Sequence, residues 1–503
     1  MTSGSRASLR IPTTAKPATD GVARVSTIDL REAARTAVAS HGFAVDQPDP
    51  SGLTAIATAA LSAGARDLTG LLWSSIDNLE TRDLDQLEFA ERLPDGAIRV
   101  WLAVADVDVY VPKGSPLDAY AAQNTTSVYT GVTTFPMLPE RLSTDLTSLV
   151  EGETRAAMVV SLVVHADGSV EPAEVFRALV CNRAKMTYTD VGAWLSGSGA
   201  PPRAVAAHPP LGDQLRLQDE AAQRLRERRH ERGALDLETI EANTVSVNGR
   251  VVDIALVQKT RARDLIEDFM IATNTGVATF LESRGIASIR RVVRAPKRWP
   301  RIVDIAAREG VTLPAEPDAK ALAGFLAARR KAAPDRFADL SLAIVKLLGA
   351  GEYDVEVPGG EQQGHFGLAV DDYAHSTAPN RRYADLVTQR QLKAVLAAAP
   401  PPYTVAELTE IAARCTRMED EGRVAEREVR KMAGAALLSG RIGESFDAIV
   451  TGDTPKGVFV RLLHPPVEGR VVRGFERLDV GDRTRVTLLE TDVKRGFIDF
   501  ERA

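Results

Sequence analysis

The chain has 503 residues, of which 44% are hydrophobic and 26% are charged, a balance typical of a folded globular protein with a large core. The formal net charge of -6 excludes a uniformly basic nucleic-acid-binding protein, so any surface for RNA or DNA must be local. The two cysteines, Cys181 and Cys415, lie far apart and belong to no Cys/His cluster, which excludes a disulfide framework and a zinc site.

The chain is predicted to begin with a tail and a small helical region. Residues 1–25 are rich in Ser, Thr, Ala and Pro and lack the apolar core of a secretory signal, so we expect a flexible tail. Helices are predicted over residues 28–40 and 51–61, the second opened by a Ser cap. Together they form a helical region over residues 26–62, for which a helix-turn-helix arrangement is one interpretation.

Residues 63–398 mix predicted strands with predicted helices and are expected to form the main domain. Alternating apolar residues predict a strand over residues 98–111, and two further apolar runs predict strands over residues 156–164 and 171–179. Helices are predicted over residues 115–123, 213–232, 260–284 and 379–398. This order predicts an α+β fold, with a β-rich core surrounded by helices.

The C-terminal part of the sequence changes from helices to short strands. A Pro-rich break precedes two helical stretches over residues 405–440, and residues 399–441 are interpreted as a helical connector. Over residues 442–503, five short strands separated by turns fit a small OB-type barrel. No apolar run approaches the length of a membrane span, and no GxxxxGK[ST] loop occurs, so we expect neither a membrane nor a nucleotide cofactor.

An acidic segment gives the strongest indication of chemistry. Asp77, Asp83 and Asp85 lie within nine residues, and the last two alternate, so in an extended segment both carboxylates point to the same side. Such carboxylates are the oxygen ligands that Mg2+ prefers, with water and substrate phosphate as its remaining ligands. The alternative interpretation is a solvated acidic turn. The apolar residues that follow the segment favour a position at the edge of a core.

Charged residues elsewhere in the chain extend this hypothesis. Arg381 stands at the start of a predicted helix, where the helix N-terminus and a guanidinium both favour a phosphate; its alternative role is to pair with a local carboxylate. Glu267 lies on the long predicted helix, either facing the site or pairing with a neighbouring Arg. Arg290 and Arg291 open a basic run that contains no acid, so this run is a candidate RNA contact.

Six short motifs follow one another in a defined order. They are Arg66–Thr69, Ser75–Asp85, Ala105–Val107, Phe135–Pro139, Glu267–Asn274 and Thr377–Leu386. Their order resembles the ribonuclease II / ribonuclease R (RNB) superfamily of processive 3'→5' exoribonucleases, and residues 457–471 resemble the S1 RNA-binding domain that ends these enzymes. Many relatives carry two cold-shock domains at the N-terminus, which cannot fit before Arg66, so the chain resembles a short form.

The resemblance implies a hydrolase that degrades single-stranded RNA to nucleoside 5'-monophosphates, using two Mg2+ ions for which Mn2+ can substitute. The implied catalytic residues are Asp85, Arg381 and Glu267, the metal ligands are Asp77, Asp83, Asp85 and Gln86, and the RNA contacts are Tyr129, Tyr188 and Arg382. The two tyrosines are implied to contact the 3'-terminal nucleotides, a role that suits base stacking. We expect a monomer in the cytoplasm.

Position 86 departs from the family pattern, in which a fourth acid follows Asp85. An amide oxygen can contact a metal but brings no negative charge, so Gln86 predicts weaker binding of a second ion unless Glu80 or Glu88 compensates. This departure leaves open a catalytically impaired RNA-binding protein of the same fold. A phosphoesterase that acts on DNA is a further alternative, and cleavage of RNA but not DNA would exclude it.

Overall fold

The computed structural model describes residues 29–49, 52–54, 56, 61–238, 242–247, 250–256, 259–360, 362–454, 457–478 and 480–503. The predicted tail over residues 1–25 and most of the predicted helix over residues 51–61 lie outside the described residues. Within the part that is described, no helix is both long enough and apolar enough to cross a membrane.

Helices and strands alternate along most of the chain. The helices are α1 (Leu30–Ser40), α2 (Pro116–Asn124), α3 (Tyr188–Leu195), α4 (Arg203–Ala207), α5 (Pro210–Arg232), α6 (Arg261–Ser283), α7 (Trp299–Arg308), α8 (Ala319–Ala332), α9 (Pro334–Leu348), α10 (Tyr383–Leu396) and α11 (Val405–Leu438). The strands before α6 are β1 (Arg66–Asp67), β2 (Ser74–Asp77), β3 (Gln86–Arg92), β4 (Ile98–Ala105), β5 (Val128–Tyr129), β6 (Thr134–Phe135), β7 (Thr154–Val164), β8 (Glu174–Cys181), β9 (Ala184–Thr187), β10 (Ala242–Val247) and β11 (Arg250–Leu256). The later strands are β12 (Ser288–Val292), β13 (Glu352–Glu356), β14 (Ser445–Thr454), β15 (Gly457–Leu462), β16 (Glu468–Arg473), β17 (Arg483–Asp492) and β18 (Phe497–Arg502).

A seven-stranded mixed sheet forms the centre of the molecule, with the order β1-β8-β7-β4-β3-β2-β9. Most neighbours are antiparallel, and the edge strands β1 and β9 pair in parallel with β8 and β2. The strand predicted over residues 98–111 ends earlier, at Ala105. A short 3-10 helix follows at Val107–Val109, and the buried carboxylate of Asp106 between the two elements pairs with Lys393, 3.0 Å away.

Both faces of this sheet are covered. On one face, Leu87 and Val159 pack with Leu386 of α10 and Leu408 of α11. On the other face, the sheet packs against α5 and α6 through a second cluster. This cluster includes Ile76, Ala90, Leu102, Leu215, Leu265 and Phe269. The sheet is therefore a buried layer, and its functional groups must lie where strands end or turn.

Helix α6 agrees closely with its prediction over residues 260–284. The side chain of Thr260 caps its N-terminus by accepting a hydrogen bond from the backbone N–H of Arg263. Gly285 follows its C-terminus with a φ of 70°, a conformation that glycine adopts without strain. Capping chemistry alone thus defined both ends of the helix.

The connector before the C-terminal barrel is one helix, and the two helical stretches predicted over residues 405–440 are wrong. Helix α11 runs without interruption for 34 residues, opened by a capping box between Thr404 and Glu407. Gly422 and Gly434 lie inside this helix, and at each position the missing side chain leaves room for a neighbouring side chain to pack closely against the helix. A Cβ on Gly434 would lie 2.9 Å from Val467 of the barrel.

The C-terminal strands close into a five-stranded barrel with the order β14-β15-β16-β18-β17. Its interior contains Val460, Val486, Leu488 and Phe500, all buried. The predicted α+β fold is confirmed: a β-rich core surrounded by helices, with a small barrel of the OB type at the C-terminus.

Candidate active site

The acidic segment lies where two neighbouring strands of the central sheet end and begin. Asp77 is the last residue of β2 and Gln86 the first of β3, so the turn between the strands carries Asp83 and Asp85. This turn borders a cavity of about 410 Å³, called here the acid cavity. Eight residues singled out from the sequence line it: Asp77, Asp83, Asp85, Gln86, Tyr129, Tyr188, Arg381 and Arg382.

Asp85 joins the acidic turn to the start of α10. Its Oδ2 accepts a hydrogen bond from Nε of Arg381 at 3.0 Å, and its Oδ1 accepts one from the backbone N–H of Asn380 at 3.3 Å. The Asp85 side chain is 4% exposed, whereas that of Arg381 is 40% exposed. Burial raises the pKa of Asp85 to about 7, although the Arg381 charge acts in the opposite direction.

Arg381 remains a cation in this environment. Burial disfavours its charge, but the nearby Asp85 carboxylate outweighs this effect, and the pKa of the guanidinium lies above its usual value. Arg382, the next residue, pairs with Asp385 at 2.7 Å. The two residues that immediately precede α10 therefore place two guanidinium groups on the acid cavity, each paired with an aspartate.

Tyr129 lines the cavity and contacts the acidic turn directly. Its hydroxyl donates to Oδ2 of Asp83 at 3.0 Å. Its backbone N–H donates to Oε1 of Glu426 on α11 at 2.8 Å. Burial raises the pKa of the Tyr129 hydroxyl, so this group stays protonated and acts as a donor.

The loop between Asp77 and Asp83 is held by two cations that the sequence did not suggest. Nζ of Lys185 donates to the carbonyl oxygens of Leu79 and Thr81, the first at 3.0 Å. A terminal nitrogen of Arg263 donates to Oδ1 of Asn78 at 2.7 Å. Both come from distant elements, β9 and α6, so only the pairing of strands and helices reveals them.

Tyr188 forms the wall on the side of α6. Its ring lies under the guanidinium of Arg263, 4.4 Å from the ring centroid, an arrangement typical of a cation–π contact. The flat ring is partly buried at the start of α3, where Thr187 caps the helix. Two aromatic side chains, Tyr129 and Tyr188, therefore line the same cavity as the acids.

The donor set fits a hard divalent cation. The cavity collects the carboxylates of Asp77, Asp83 and Asp85 and the amide oxygen of Gln86. Burial raises the pKa of Asp77, and the hydrogen bond from Thr81 offsets this only in part, as expected for an acid that lacks a full counter-charge. Oxygen ligands of this kind suit Mg2+ or Mn2+ rather than a soft metal.

Glu267 does not enter the acid cavity, contrary to the sequence prediction. It is exposed, and the α6 residues that line the cavity are Ile266, Met270 and Asn274. The face of α6 that lines the cavity therefore contains Ile266, one residue before the predicted Glu267. The next acid, Asp268, is buried on the opposite side, where it pairs with Arg229 of α5.

Arg290 and Arg291 are also placed differently from the prediction of an RNA contact. Both lie on the buried strand β12. Arg290 pairs with Asp372 and with Glu356, and Arg291 forms a bidentate contact with Glu419 at 2.7 and 2.9 Å. Their guanidinium groups neutralise internal carboxylates, so the basic run does not present them to a ligand.

Sequence comparisons match both parts of the chain to known families. A family described as "RNB domain" matches residues 65–398, and one described as "RNase II-type exonuclease C-terminal S1 domain" matches residues 444–503. Ribonuclease R 1 of Lactococcus lactis is 30% identical, with coverage of 87% of this chain and 56% of the relative. Ribonuclease R of Thermotoga maritima is 32% identical, with coverage of 87% and 64%. The chain thus spans less than two thirds of these relatives.

Solved structures share the fold at lower identity. Mycoplasma genitalium RNase R in complex with ribose methylated single-stranded RNA superposes with a TM-score of 0.84 at 22% identity, covering 95% of this chain and 78% of that one. Yeast Ssd1, a pseudonuclease, superposes with a TM-score of 0.68 at 17% identity, covering 88% and 55%. The family match extends over more than half of the sequence and coincides with the cavity-bearing domain. The chain therefore belongs to the RNB-domain family.

Proposed function

We propose that the protein is a Mg2+-dependent, processive 3'→5' exoribonuclease that hydrolyses single-stranded RNA to nucleoside 5'-monophosphates. The observation that carries the proposal is the contact between Asp85 and Arg381, which joins an acidic turn and a phosphate-binding cation in one cavity. The names of the relatives, Ribonuclease R, support the same activity.

The basic side of the cavity suits the scissile phosphate. Asp85 engages Nε of Arg381, and the terminal nitrogens of a guanidinium are the pair that binds a phosphate through two parallel hydrogen bonds. A fixed cation at this place stabilises negative charge as it develops on the phosphoryl oxygens. Arg381 therefore acts as the electrostatic catalyst, and Asp85 orients it.

The acidic side suits the metal. Asp77, Asp83 and Asp85 would hold Mg2+, with Gln86 as a neutral neighbour, and the bound metal supplies activation of the attacking water and neutralisation of the leaving oxygen. The hydroxyl of Tyr129 fixes one Asp83 oxygen, so the orientation of that carboxylate is set before any ion binds.

Two features of the protein suit the unpaired 3' end of an RNA strand. The rings of Tyr129 and Tyr188 can stack on unpaired bases, a contact worth about 1–3 kcal/mol per base and indifferent to sequence. The C-terminal barrel belongs to a family whose description names an S1 domain, and OB-type barrels bind single strands. Both features favour unpaired RNA over a duplex.

The test uses an RNA and a DNA oligonucleotide of equal sequence, incubated with the full chain and Mg2+. We expect the RNA to shorten with release of mononucleotides and the DNA to remain intact. Asp85→Asn should reduce the rate at least about 10²-fold because it removes a carboxylate that the metal and Arg381 share. The matched control is Asp213→Asn, which changes a carboxylate that is 85% exposed on α5.

A catalytically impaired RNA-binding protein is the second candidate. The neutral side chain of Gln86 and the structural likeness to the pseudonuclease Ssd1 favour it. In that case the wild-type chain would bind RNA with ordinary affinity but leave its length unchanged at every Mg2+ concentration. The same oligonucleotide assay therefore separates the two candidates.

A further inference from the structure

A buried tyrosine on the wall of the acid cavity has no part in the site described above. Tyr373 is 8% exposed and lines the cavity beside Asn274 and Arg382. Its ring meets the rings of His365 and His375 edge to face, with centroids 5.6 and 5.7 Å apart. Because the ring is packed on both sides, its hydroxyl is held at one place on the cavity wall.

The hydrogen bonds of Asn274 determine where the proton of this hydroxyl points. Oδ1 of Asn274 accepts from the backbone N–H of Ser376 at 2.9 Å and from its hydroxyl at 2.8 Å. A backbone N–H can only donate, so this end of the amide must be the oxygen. The amide nitrogen therefore faces Tyr373 and donates to the hydroxyl oxygen at 3.1 Å. Because Asn274 is the donor in this contact, the Tyr373 proton must point elsewhere.

The proton of Tyr373 meets no acceptor in the part of the chain that the structure describes, where the partner of the hydroxyl is the donor Asn274. Burial raises the pKa of Tyr373, although the hydrogen bond from Asn274 and the Arg382 charge act in the opposite direction, so the hydroxyl stays protonated. Tyr373 and Asn274 both line the acid cavity. The hydroxyl is therefore a donor that a ligand in the cavity can use.

Arg382 offers a second donor beside Tyr373. Its Nη2 is engaged by Asp385 at 2.7 Å and by Oγ1 of Thr377 at 3.3 Å, which leaves Nη1 without a hydrogen bond among the described residues. Arg382 is also the charge that acts most strongly on the Tyr373 hydroxyl, so the two donors belong to the same part of the cavity. A cation and a neutral donor side by side suit an anionic oxygen.

The anionic groups of an RNA strand are its phosphates, and under the proposed function Arg381 takes the scissile one. A 3' end carries no phosphodiester beyond the scissile linkage, so the neighbouring phosphodiester must lie on the 5' side. Arg382 follows Arg381 directly, but its partner is Asp385 rather than Asp85. Arg382 and Tyr373 are therefore suited to the next phosphate along the strand.

We propose that the hydroxyl of Tyr373, oriented by Asn274, donates together with Arg382 to a non-bridging oxygen of the phosphodiester on the 5' side of the scissile one. The proposal rests on the RNA substrate proposed above. Tyr373 touches the RNA away from the bond that breaks, so its role is to keep the 3' end in register with Arg381. The contact involves the backbone alone and is independent of base sequence.

The experiment measures binding of a single-stranded RNA to the full chain by fluorescence anisotropy in EDTA, where the metal-dependent reaction does not proceed. One step of the strand at a time, counted from the 3' end, carries a 2'-deoxyribose with either its normal phosphate or a neutral methylphosphonate. The comparison of these two strands isolates the charge of the phosphate. The comparison of the deoxyribose step with unmodified RNA isolates the 2'-hydroxyl.

Tyr373→Phe keeps the ring and should weaken binding of unmodified RNA about tenfold, because it removes a hydrogen bond to a charged oxygen. In wild type, a neutral second linkage should weaken binding at least as much. In Tyr373→Phe the same neutral linkage should have a several-fold smaller effect, since one donor to that phosphate is already gone. Neutral first and third linkages should affect both proteins equally.

The matched control is Tyr110→Phe, whose hydroxyl accepts from the Ile56 backbone N–H at 3.1 Å outside the acid cavity. It should bind every strand like wild type. Thermal unfolding of Tyr373→Phe provides a second measurement, because a purely structural role would lower stability and weaken binding with no preference for one linkage. That result would overturn the phosphate contact.

Equal effects of neutral linkages in wild type and Tyr373→Phe would also overturn the contact, as would a difference that follows the deoxyribose step or the first linkage. Absence of RNA binding by wild type would overturn the proposed function together with this inference. An RNA that is bound in EDTA but never shortened in Mg2+ would overturn the nuclease function alone.

Discussion

Asp85 connects the two chemical halves of the acid cavity. One carboxylate oxygen accepts from the Asn380 backbone and the other from Arg381, although the acid and the cation are separated by 296 positions in sequence. Its loss would leave the Arg381 guanidinium without its carboxylate partner and would remove the most buried of the proposed metal ligands. Under the proposed function, substitution of Asp85 would affect both phosphate binding and metal binding.

Tyr129 offers a test of two roles in one side chain. Tyr129→Phe removes the hydrogen bond to Asp83 but keeps the ring, so we expect a higher Mg2+ concentration for half-maximal activity and an unchanged affinity for RNA. Tyr129→Ala should also weaken RNA binding, by about 1–3 kcal/mol, because stacking is lost. Equal effects of the two variants on RNA affinity would contradict the stacking role.

A substitution at Gln86 is expected to lower the Mg2+ requirement, whereas Tyr129→Phe is expected to raise it. Gln86→Asp adds a carboxylate to the wall of the cavity, so the Mg2+ concentration needed for half-maximal RNA cleavage should fall. Metal titrations of the cleavage rate check this, with Gln123→Glu, an exposed position on α2, as a control for added charge outside the cavity. Superimposable titrations for wild type and Gln86→Asp would show that the missing charge has no consequence.

Among the structural elements, the loop between β2 and β3 depends most on support from outside. Lys185 of β9 binds two of its carbonyl oxygens, and Arg263 of α6 binds Asn78. These contacts fix the direction of the backbone that carries Asp77 and Asp83. Backbone hydrogen bonds from Leu149 and Ala105 hold Leu84 and Asp85, whereas Lys185 and Arg263 hold the part of the loop between Asp77 and Asp83.

Lys185→Met should loosen the acidic turn without changing the charge of any ligand. We expect weaker Mg2+ binding and a several-fold lower cleavage rate, with RNA affinity close to that of wild type. Lys185→Arg, which can still donate to both carbonyls, is the matched control and should retain most of the activity. A Lys185→Met enzyme with normal metal dependence would refute this role of the lysine.

The length of α6 was predictable, but its rotation was not. Its ends are set by Thr260 and Gly285, which the sequence displays directly. Which face meets the cavity depends on packing against the sheet and α5, where Phe269 and Leu265 are buried. Glu267 lies between the cavity-lining residues Ile266 and Met270, and the sequence therefore predicted the wrong face of the helix for it.

Across the whole molecule, local patterns predicted the acidic turn and the terminal barrel, and motif order predicted that Arg381 would join the turn. The internal ion pairs could not be predicted in this way. Arg291 meets Glu419, and Arg290 meets Asp372, only because β12 packs under α11 and the loop before α10. A basic run in sequence gives no information about partners supplied by elements 80 to 130 residues away.

Two partly buried histidines predict how the stability of the whole protein responds to acid. Burial lowers the pKa of His365 to about 4 and that of His375 well below its usual value. The side chain of unfolded histidine has a pKa near 6.5, so between about pH 6.5 and 4 the unfolded chain binds more protons than the folded chain. The free energy of unfolding therefore decreases as the pH is lowered through this range. His365 alone should contribute a loss of about 3 kcal/mol.

Urea unfolding between pH 7 and pH 4 measures this dependence. His365→Asn keeps an acceptor for the Leu368 backbone N–H but cannot take up a proton in this range, so its stability should fall less steeply than that of wild type. His208→Asn, at an exposed position, is the control and should follow the wild-type profile. A wild-type stability that rises as the pH falls would contradict the sign of the predicted effect.

The most direct measurement follows a single-stranded RNA carrying separate labels at its 5' and 3' ends, with the full chain in Mg2+ or in EDTA. We predict that the 3' label is released first as a nucleoside 5'-monophosphate while the 5'-labelled fragment shortens. EDTA and Asp85→Asn should both stop this reaction. An RNA that is bound but keeps its length in Mg2+ would contradict the account.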